Sequence, residues 1–152
     1  AVGESVVTGA EICALDEEFN QAGDPEKIEC DAICLAVGLT PTSELLWQAG
    51  CSMKYVPFLC GHVPLRDKFM RTSNADIWIA GDVSGIEEAS AAMIEGRIAG
   101  LGAAGSLGLG VDPGRVGWFR SRLENLRAGE VGEKIRAGVG AVTVDGWEGD
   151  AR

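Results

Sequence analysis

Apolar and polar positions alternate loosely through residues 4–20, with Val6, Val7, Ile12, Ala14, Leu15 and Phe19 as the apolar set. A period of two predicts two short antiparallel strands here, with Gly9 as a bend. Residues 21–25, Gln-Ala-Gly-Asp-Pro, have the composition of a turn. In residues 28–38 the second half becomes a continuous apolar run, the pattern of a strand buried on both faces of a parallel sheet. Gly38 to Pro41 end that strand. Thr42 or Ser43 then caps a short helix over residues 44–49, closed by Gly50. Residues 51–70, punctuated by Pro57, Gly61 and Pro64, predict irregular chain, and 68–73 an extended stretch that turns at Asn74.

Residues 76–82, Asp-Ile-Trp-Ile-Ala-Gly-Asp, predict a short apolar strand ending in a glycine and a carboxylate. Ser84 and Glu87 have the S-x-x-E spacing of a capping box and set the start of the next helix there. On that helix Ala89, Ala92, Met93, Gly96, Ala99, Gly100 and Ala103 fall on one face at offsets of three and four. Nearly all are small, so the helix should pack close to what lies beneath it. Pro113 opens another helix with Val116, Phe119, Leu123 and Leu126 on one side. Residues 138–146 predict a strand, and the last residues a frayed end.

Composition narrows the class. A hydrophobic share of 46% suits a folded chain. Glycine supplies 22 of the 152 residues, without a period, which excludes collagen and points to tight turns and close backbone approaches. The formal charge of −10 argues against a nucleic-acid or anionic-membrane partner. Residues 1–110 carry 6 Lys and Arg against 16 Asp and Glu, while residues 111–152 carry 7 against 7. That shift marks the start of a tail near Gly110. Five scattered cysteines, Cys13, Cys30, Cys34, Cys51 and Cys60, fit reduced, buried or half-buried thiols better than a disulfide framework. With no apolar run of membrane-spanning length, a cytoplasmic location is expected. A chain that opens on Ala1 without an initiator methionine is read as a partial sequence.

The unit richest in chemistry is the strand, Gly81, Asp82 and the helix that follows. A strand end feeding a helix N-terminus is where open α/β sheets bind ligands. An ionised Asp82 accepts hydrogen bonds from a sugar or ribitol hydroxyl. Gly81 lets backbone approach a ligand closely, and the helix start offers free N–H groups to negative charge. The same residues equally fit a plain strand–turn–helix in which Asp82 only helps to cap. Gly100 to Gly105 spell G-x-G-x-x-G, but they continue a helix instead of following a strand, so their N–H groups are spent and no dinucleotide fingerprint results. Cys51, Cys60 and His62 lack a fourth ligand at a usual metal spacing. His62 reads as a hydrogen-bonded loop histidine, and no catalytic residue is assigned.

Residues 72–82, Thr-Ser-Asn-Ala-Asp-Ile-Trp-Ile-Ala-Gly-Asp, followed by Glu95-Gly96-Arg97-Ile98-Ala99, resemble the FAD-side signature of the pyridine nucleotide–disulfide oxidoreductase superfamily. Residues 30–41 resemble the strand that leaves its inserted NAD domain, with the A-x-G-x-x-P ending. The resemblance covers residues 4–108. Within the superfamily, residues 61–67 and the ending 105–108 look most like flavoprotein subunits of amine and imino-acid dehydrogenases. These include the sarcosine oxidase alpha subunit, the proline and opine dehydrogenase subunits, and the hydrogen cyanide synthase flavoprotein. Two departures stand out. Residues 109–152 contain no cysteine where such relatives carry an iron–sulfur segment, and no C-x4-C redox pair is present.

The resemblance implies an α/β, Rossmann-like fragment of a flavoprotein with two dinucleotide-binding domains. Residues 1–41 would be the last strands of the NAD(P) domain, 42–70 a connection, 71–110 the last strand and helix of the FAD domain, and 111–152 the tail. It also implies FAD as cofactor, with NAD(P) a further one. Asp82, beside Gly81, would hold the ribitol. N–H groups around Glu88, Ala89 and Ser90 would face negative charge on the flavin's pyrimidine edge, and Gly38 would turn the chain back toward the FAD domain. Hydride would pass between NAD(P)H, or a small amine or imino acid, and an acceptor. The partners would be a small-molecule substrate and either the rest of the parent protein or a separate companion chain. The rival reading is a non-catalytic remnant or scaffold protein unable to bind FAD alone, and a metal-binding interaction module is a third.

Overall fold

The computed structural model describes residues 1–147, and the chain divides into two units, Ala1–Gly38 and Leu39–Arg152. Helices and strands are mixed along it, as an α/β class requires.

The first unit is an antiparallel hairpin of β1 (Gly9–Leu15) and β2 (Gln21–Glu29). The reversal falls at residues 16–20, not at 21–25. Asp16 decides this: its Oδ1 accepts the N–H groups of Glu18 at 3.0 Å and Asn20 at 2.8 Å, satisfying the turn from a side chain. Gly23, Asp24 and Pro25 are absorbed within β2, where the register slips between Ile12 and Ala14. Gly23 takes φ +95° there, a conformation open mainly to glycine. The strand expected over residues 28–38 stops at Glu29, and residues 31–38 form no strand. Leu35 is 79% and Val37 88% exposed. An apolar run becomes a doubly buried strand only where flanking strands take its backbone hydrogen bonds, and each described sheet has just two strands, both antiparallel.

In the second unit, α1 (Glu44–Gln48) follows Ser43 and ends near Gly50 at φ +70°. The segment expected to be irregular instead holds a hairpin, β3 (Met53–Val56) and β4 (Gly61–Pro64). Four-residue strands are too short to show alternation. Their connection is a one-turn helix at Pro57–Leu59 that closes with Cys60 at φ 64°. His62 therefore lies on a strand, with its ring 5.5 Å from that of Trp47 and 5.0 Å from that of Tyr55. Two thiols, Cys34 and Cys60, are exposed rather than buried, while Cys51 is buried with its sulfur 3.4 Å from Thr72 Oγ1.

The strand expected over residues 76–82 does not form. Asp76 lies in the turn after Asn74, and residues 81 and 82 already belong to a helical turn. Residues 77–80 run extended beside residues 70–72, through Thr72 N–H to Ile77 O at 2.9 Å and Ile79 N–H to Met70 O at 3.0 Å, with an isolated bridge between Arg71 and Trp78. A one-turn helix, Gly81–Ser84, follows, and then α2 (Ala89–Ser106). The helix thus begins at Ala89, with Glu88 as its N-cap, and the expected capping box is not formed. Ser84 and Glu87 are drawn instead to Glu95 and Arg127. The buried face also differs from the one expected: it carries Ala91, Ile94, Glu95, Ile98 and Ala99. Met93 is 66% exposed. Two isoleucines remove more apolar area from water than the alanine and glycine stripe can, so they set the helix's rotation.

Asp112 caps α3 (Pro113–Leu126) by accepting the Gly114 N–H at 2.8 Å, and Val116, Phe119 and Leu123 are buried beneath it. Leu126 is 43% exposed. Where a strand was expected over 138–146, α4 (Glu133–Gly140) occupies the first part. Only the backbone at residues 142–144 pairs alongside Arg66. The frayed end expected for the last residues lies outside the described residues. One core gathers Leu46, Met70, Ile79, Ile94, Ile98 and Phe119 around α2; a smaller one gathers Val56, Leu59, Val63 and Val142 around the β3–β4 hairpin.

Gly102 lies where α2 presses on the extended segment: a Cβ there would sit 2.9 Å from Phe69 O and 2.9 Å from Trp78 Nε1. A Cβ on Gly100 would meet nothing within 4 Å. Gly102→Ala should therefore destabilise the protein by about 1–3 kcal/mol through overpacking. Gly100→Ala should stabilise it by roughly 0.5–1 kcal/mol through helix propensity. Denaturant unfolding of both variants measures the contrast.

Candidate functional site

Ala80 is extended at φ −161°, ψ 154°, and the chain then turns sharply at Gly81, φ +74°. A Cβ on Gly81 would lie 3.3 Å from Ala92 Cβ, so the turn rests against the first turn of α2. Asp82 stands on this turn, exposed, and its carboxylate accepts no hydrogen bond among the described residues. It does not cap the helix. The N–H groups of Ala89 and Ser90, the first of α2, donate to no protein acceptor among the described residues, as helix starts require. Glu88 turns its carboxylate onto the Ser90 hydroxyl, which donates at 2.7 Å. Five of the candidate residues, Gly81, Asp82, Glu88, Ala89 and Ser90, thus share one exposed corner of the second unit. Gly38 is the last residue of the first unit, with φ +103°.

The corner is held from behind by a residue that stands in the family-like signature but was given no role there. Glu95 is 2% exposed. Its Oε2 accepts the Gly81 N–H at 2.9 Å and the Ser84 hydroxyl at 2.6 Å. Its Oε1 accepts from Arg127 Nη2 at 2.6 Å. Arg127 also donates to Glu87 from Nε at 3.0 Å and Nη2 at 2.5 Å. The segment between Gly81 and Glu87 is therefore tied down at both ends, by α2 and by the end of α3. A carboxylate on a buried helix face was the available signal for Glu95, obscured because the small-residue face was read as the buried one. Arg127 lies 32 residues further along, and nothing local predicts the pairing.

Burial alone would depress the Arg127 guanidinium; the hydrogen bonds and charges of Glu87 and Glu95 outweigh it and hold it above its ordinary value. Because folding raises it, this contribution to stability is complete below the ordinary arginine range and is lost only in strong alkali. Arg66, 2% exposed, shifts the opposite way: burial lowers it, and the charge of Glu95 offsets only part of that.

Residues 3–96 match the pyridine nucleotide-disulphide oxidoreductase family. The chain belongs to that family. The matched stretch of this oxidoreductase-family chain includes Gly38, the turn at Gly81 and Glu95, and ends before α3. Among curated proteins it is similar to an opine oxidase subunit of Rhizobium meliloti, 37% identical over 103 residues that make up 68% of this chain and 19% of that protein. The equally named protein of Rhizobium meliloti strain 1021 is 32% identical, over 64% of this chain and 21% of that protein. That of Agrobacterium tumefaciens strain Ach5 is 35% identical, over 54% and 16%. The chain therefore spans about a fifth of the length of the curated relatives it matches. No solved structure matches it. No helix among the described residues is long and apolar enough to cross a membrane.

Arg127→Ala would leave two largely buried carboxylates without their cation. The expected loss is about 3–5 kcal/mol, as for other broken buried pairs. Glu87→Ala, which leaves the Arg127–Glu95 pair intact, should cost clearly less. Denaturant titration of the two variants side by side tests the ranking.

Proposed function

We propose that this chain forms part of an FAD-dependent oxidoreductase, carrying the last strands of its NAD(P) domain in residues 1–41 and the closing strand and helix of its FAD domain in residues 71–110. Residues 42–70 would connect the two, and 111–152 would brace the second. The family match supports the class of activity. One observation carries the assignment of the corner: an unpaired Asp82 carboxylate on a turn packed against a helix whose first N–H groups are also free. Those donors and acceptors fit a ligand that offers hydroxyl groups at one end and a negative edge at the other, as a flavin's ribityl chain and pyrimidine ring do. A bound flavin supplies hydride transfer, between NAD(P)H or a small amine or imino acid and an acceptor.

In this reading each residue has a separate task. Asp82 accepts hydrogen bonds from ribityl hydroxyls. Gly81 permits close approach, and Ala89 and Ser90 donate N–H groups toward accumulating negative charge. Glu88, which holds the Ser90 hydroxyl, keeps the first turn of α2 in place. Glu95 and Arg127 fix the Gly81 amide and so the direction of the turn. The names of the relatives describe them as subunits, which supports a companion chain for the whole protein here as well.

One observation favours the scaffold alternative for the chain on its own. The glycines from Gly100 to Gly105 lie inside α2, so their N–H groups are bound within the helix and cannot cradle a pyrophosphate.

Quenching of FAD fluorescence on titration with the purified protein tests the assignment. Binding is expected, and Asp82→Ala should weaken it by about 1.5–3 kcal/mol, roughly tenfold or more, as for other hydrogen bonds to a charged group. Protein that leaves FAD fluorescence unchanged would favour the scaffold. Equal affinity in the Asp82 variant would remove that residue from the site.

A further inference from the structure

A cavity of about 350 Å³ opens between α2, α3, α4 and the segment at residues 66–70, a volume within the range of small-molecule sites. Its lining includes Arg66, which the chemistry above leaves unused. Arg66 is 2% exposed, and its Nη1 is enclosed without a hydrogen-bond partner. A buried charged donor in that condition is costly and rare in folded proteins. Glu95 is the nearby carboxylate, but both its oxygens are committed to Gly81, Ser84 and Arg127.

The remaining charges around the cavity leave a cationic surplus. Five lining side chains are basic and three are acidic. Among the basic ones, Arg127 is neutralised by Glu87 and Glu95, and Arg136 donates to the backbone carbonyls of Arg127 and Gly129. Arg66 and Arg120 have no ion pair among the described residues, and Lys68 lies 5.4 Å over the Phe69 ring. On the acidic side, Asp67 accepts the N–H groups of Phe69 and Arg71 and keeps its charge. With Glu124, Glu95 and the Glu87 that pairs with Arg127, it sets four negative charges against the five positive ones and leaves a surplus of one. Met70, Ile98, Leu123 and Val139 complete an apolar wall.

We propose that this cavity binds a small carboxylate anion with a short hydrocarbon part, its oxygens taken by the Arg66 guanidinium and steadied by Arg120. The planar fork of arginine matches the two oxygens of a carboxylate. A surplus of this size suits one negative charge better than the two of a phosphate, and the apolar wall suits the hydrocarbon. Because Nη1 is enclosed, binding requires the Arg66 side chain to turn toward the cavity. Burial depresses the Arg66 guanidinium, and an arriving anion offsets that cost. This site is independent of the flavin reading and stands or falls separately.

The test is NMR of the arginine Nε–Hε signals of the full chain, titrated with sodium butyrate at constant ionic strength held by chloride. Expected is a saturable shift of the Arg66 signal, with inorganic phosphate producing a weaker response. Arg66→Met should fold, because it removes a buried unpartnered charge, and should lose saturable butyrate binding when followed through backbone amides lining the cavity. Arg120→Gln, at an exposed position, should weaken binding about threefold to tenfold, in line with an assisting charge. No saturable shift, equal responses to butyrate and chloride (an adventitious ion only), or undiminished binding in Arg66→Met would each overturn the proposal. Tighter binding of phosphate than of butyrate would overturn the assignment to carboxylates.

Discussion

The second unit is organised around a single carboxylate, that of Glu95, which is almost completely withdrawn from water. A charge in that position is tolerated only when its oxygens are filled, and three donors from two distant parts of the chain fill them. Gly81 contributes a backbone amide, Ser84 a hydroxyl and Arg127 a guanidinium. The direction of the turn, the start of α2 and the placement of α3 follow from one requirement. The proposed cofactor corner is the outer surface of this arrangement, and its exposed residues owe their geometry to groups behind them.

The same helix shows how burial settles a contest that periodicity leaves open. Two faces of α2 are periodic, one of small residues and one of isoleucines flanking Glu95. The isoleucines bury more area, and Arg127 supplies the cation without which Glu95 could not follow them inside. Gly102, seven residues after Glu95 and so on the same face, marks where α2 meets Phe69 and Trp78 too closely for a side chain.

Much of the second unit was legible in the sequence, because its signals are local. The helix after Ser43, the proline-led helix at Pro113 and the helical setting of Gly100 to Gly105 rest on residues within one turn of each other. The extended chain up to Ala80 was legible too, but not the helical turn that Gly81 and Asp82 enter. What escaped was set by long-range contacts. The β3–β4 hairpin is too short to display alternation, and the capping residues Ser84 and Glu87 were claimed by partners at Glu95 and Arg127. In the first unit, Asp16 took the reversal away from Gly23-Asp24-Pro25, and residues 31–38 found no flanking strand. The candidate site followed the same rule: its exposed members were readable, and the buried pair that holds them was not.

Arg127 lies beyond the stretch that matches the family, yet it completes the pairing of a carboxylate within it. The final helices are therefore no appendage to a finished domain. Loosening α3 frees the guanidinium, strands Glu95 and releases the Gly81 amide, so the tail and the turn should come apart together in one cooperative event.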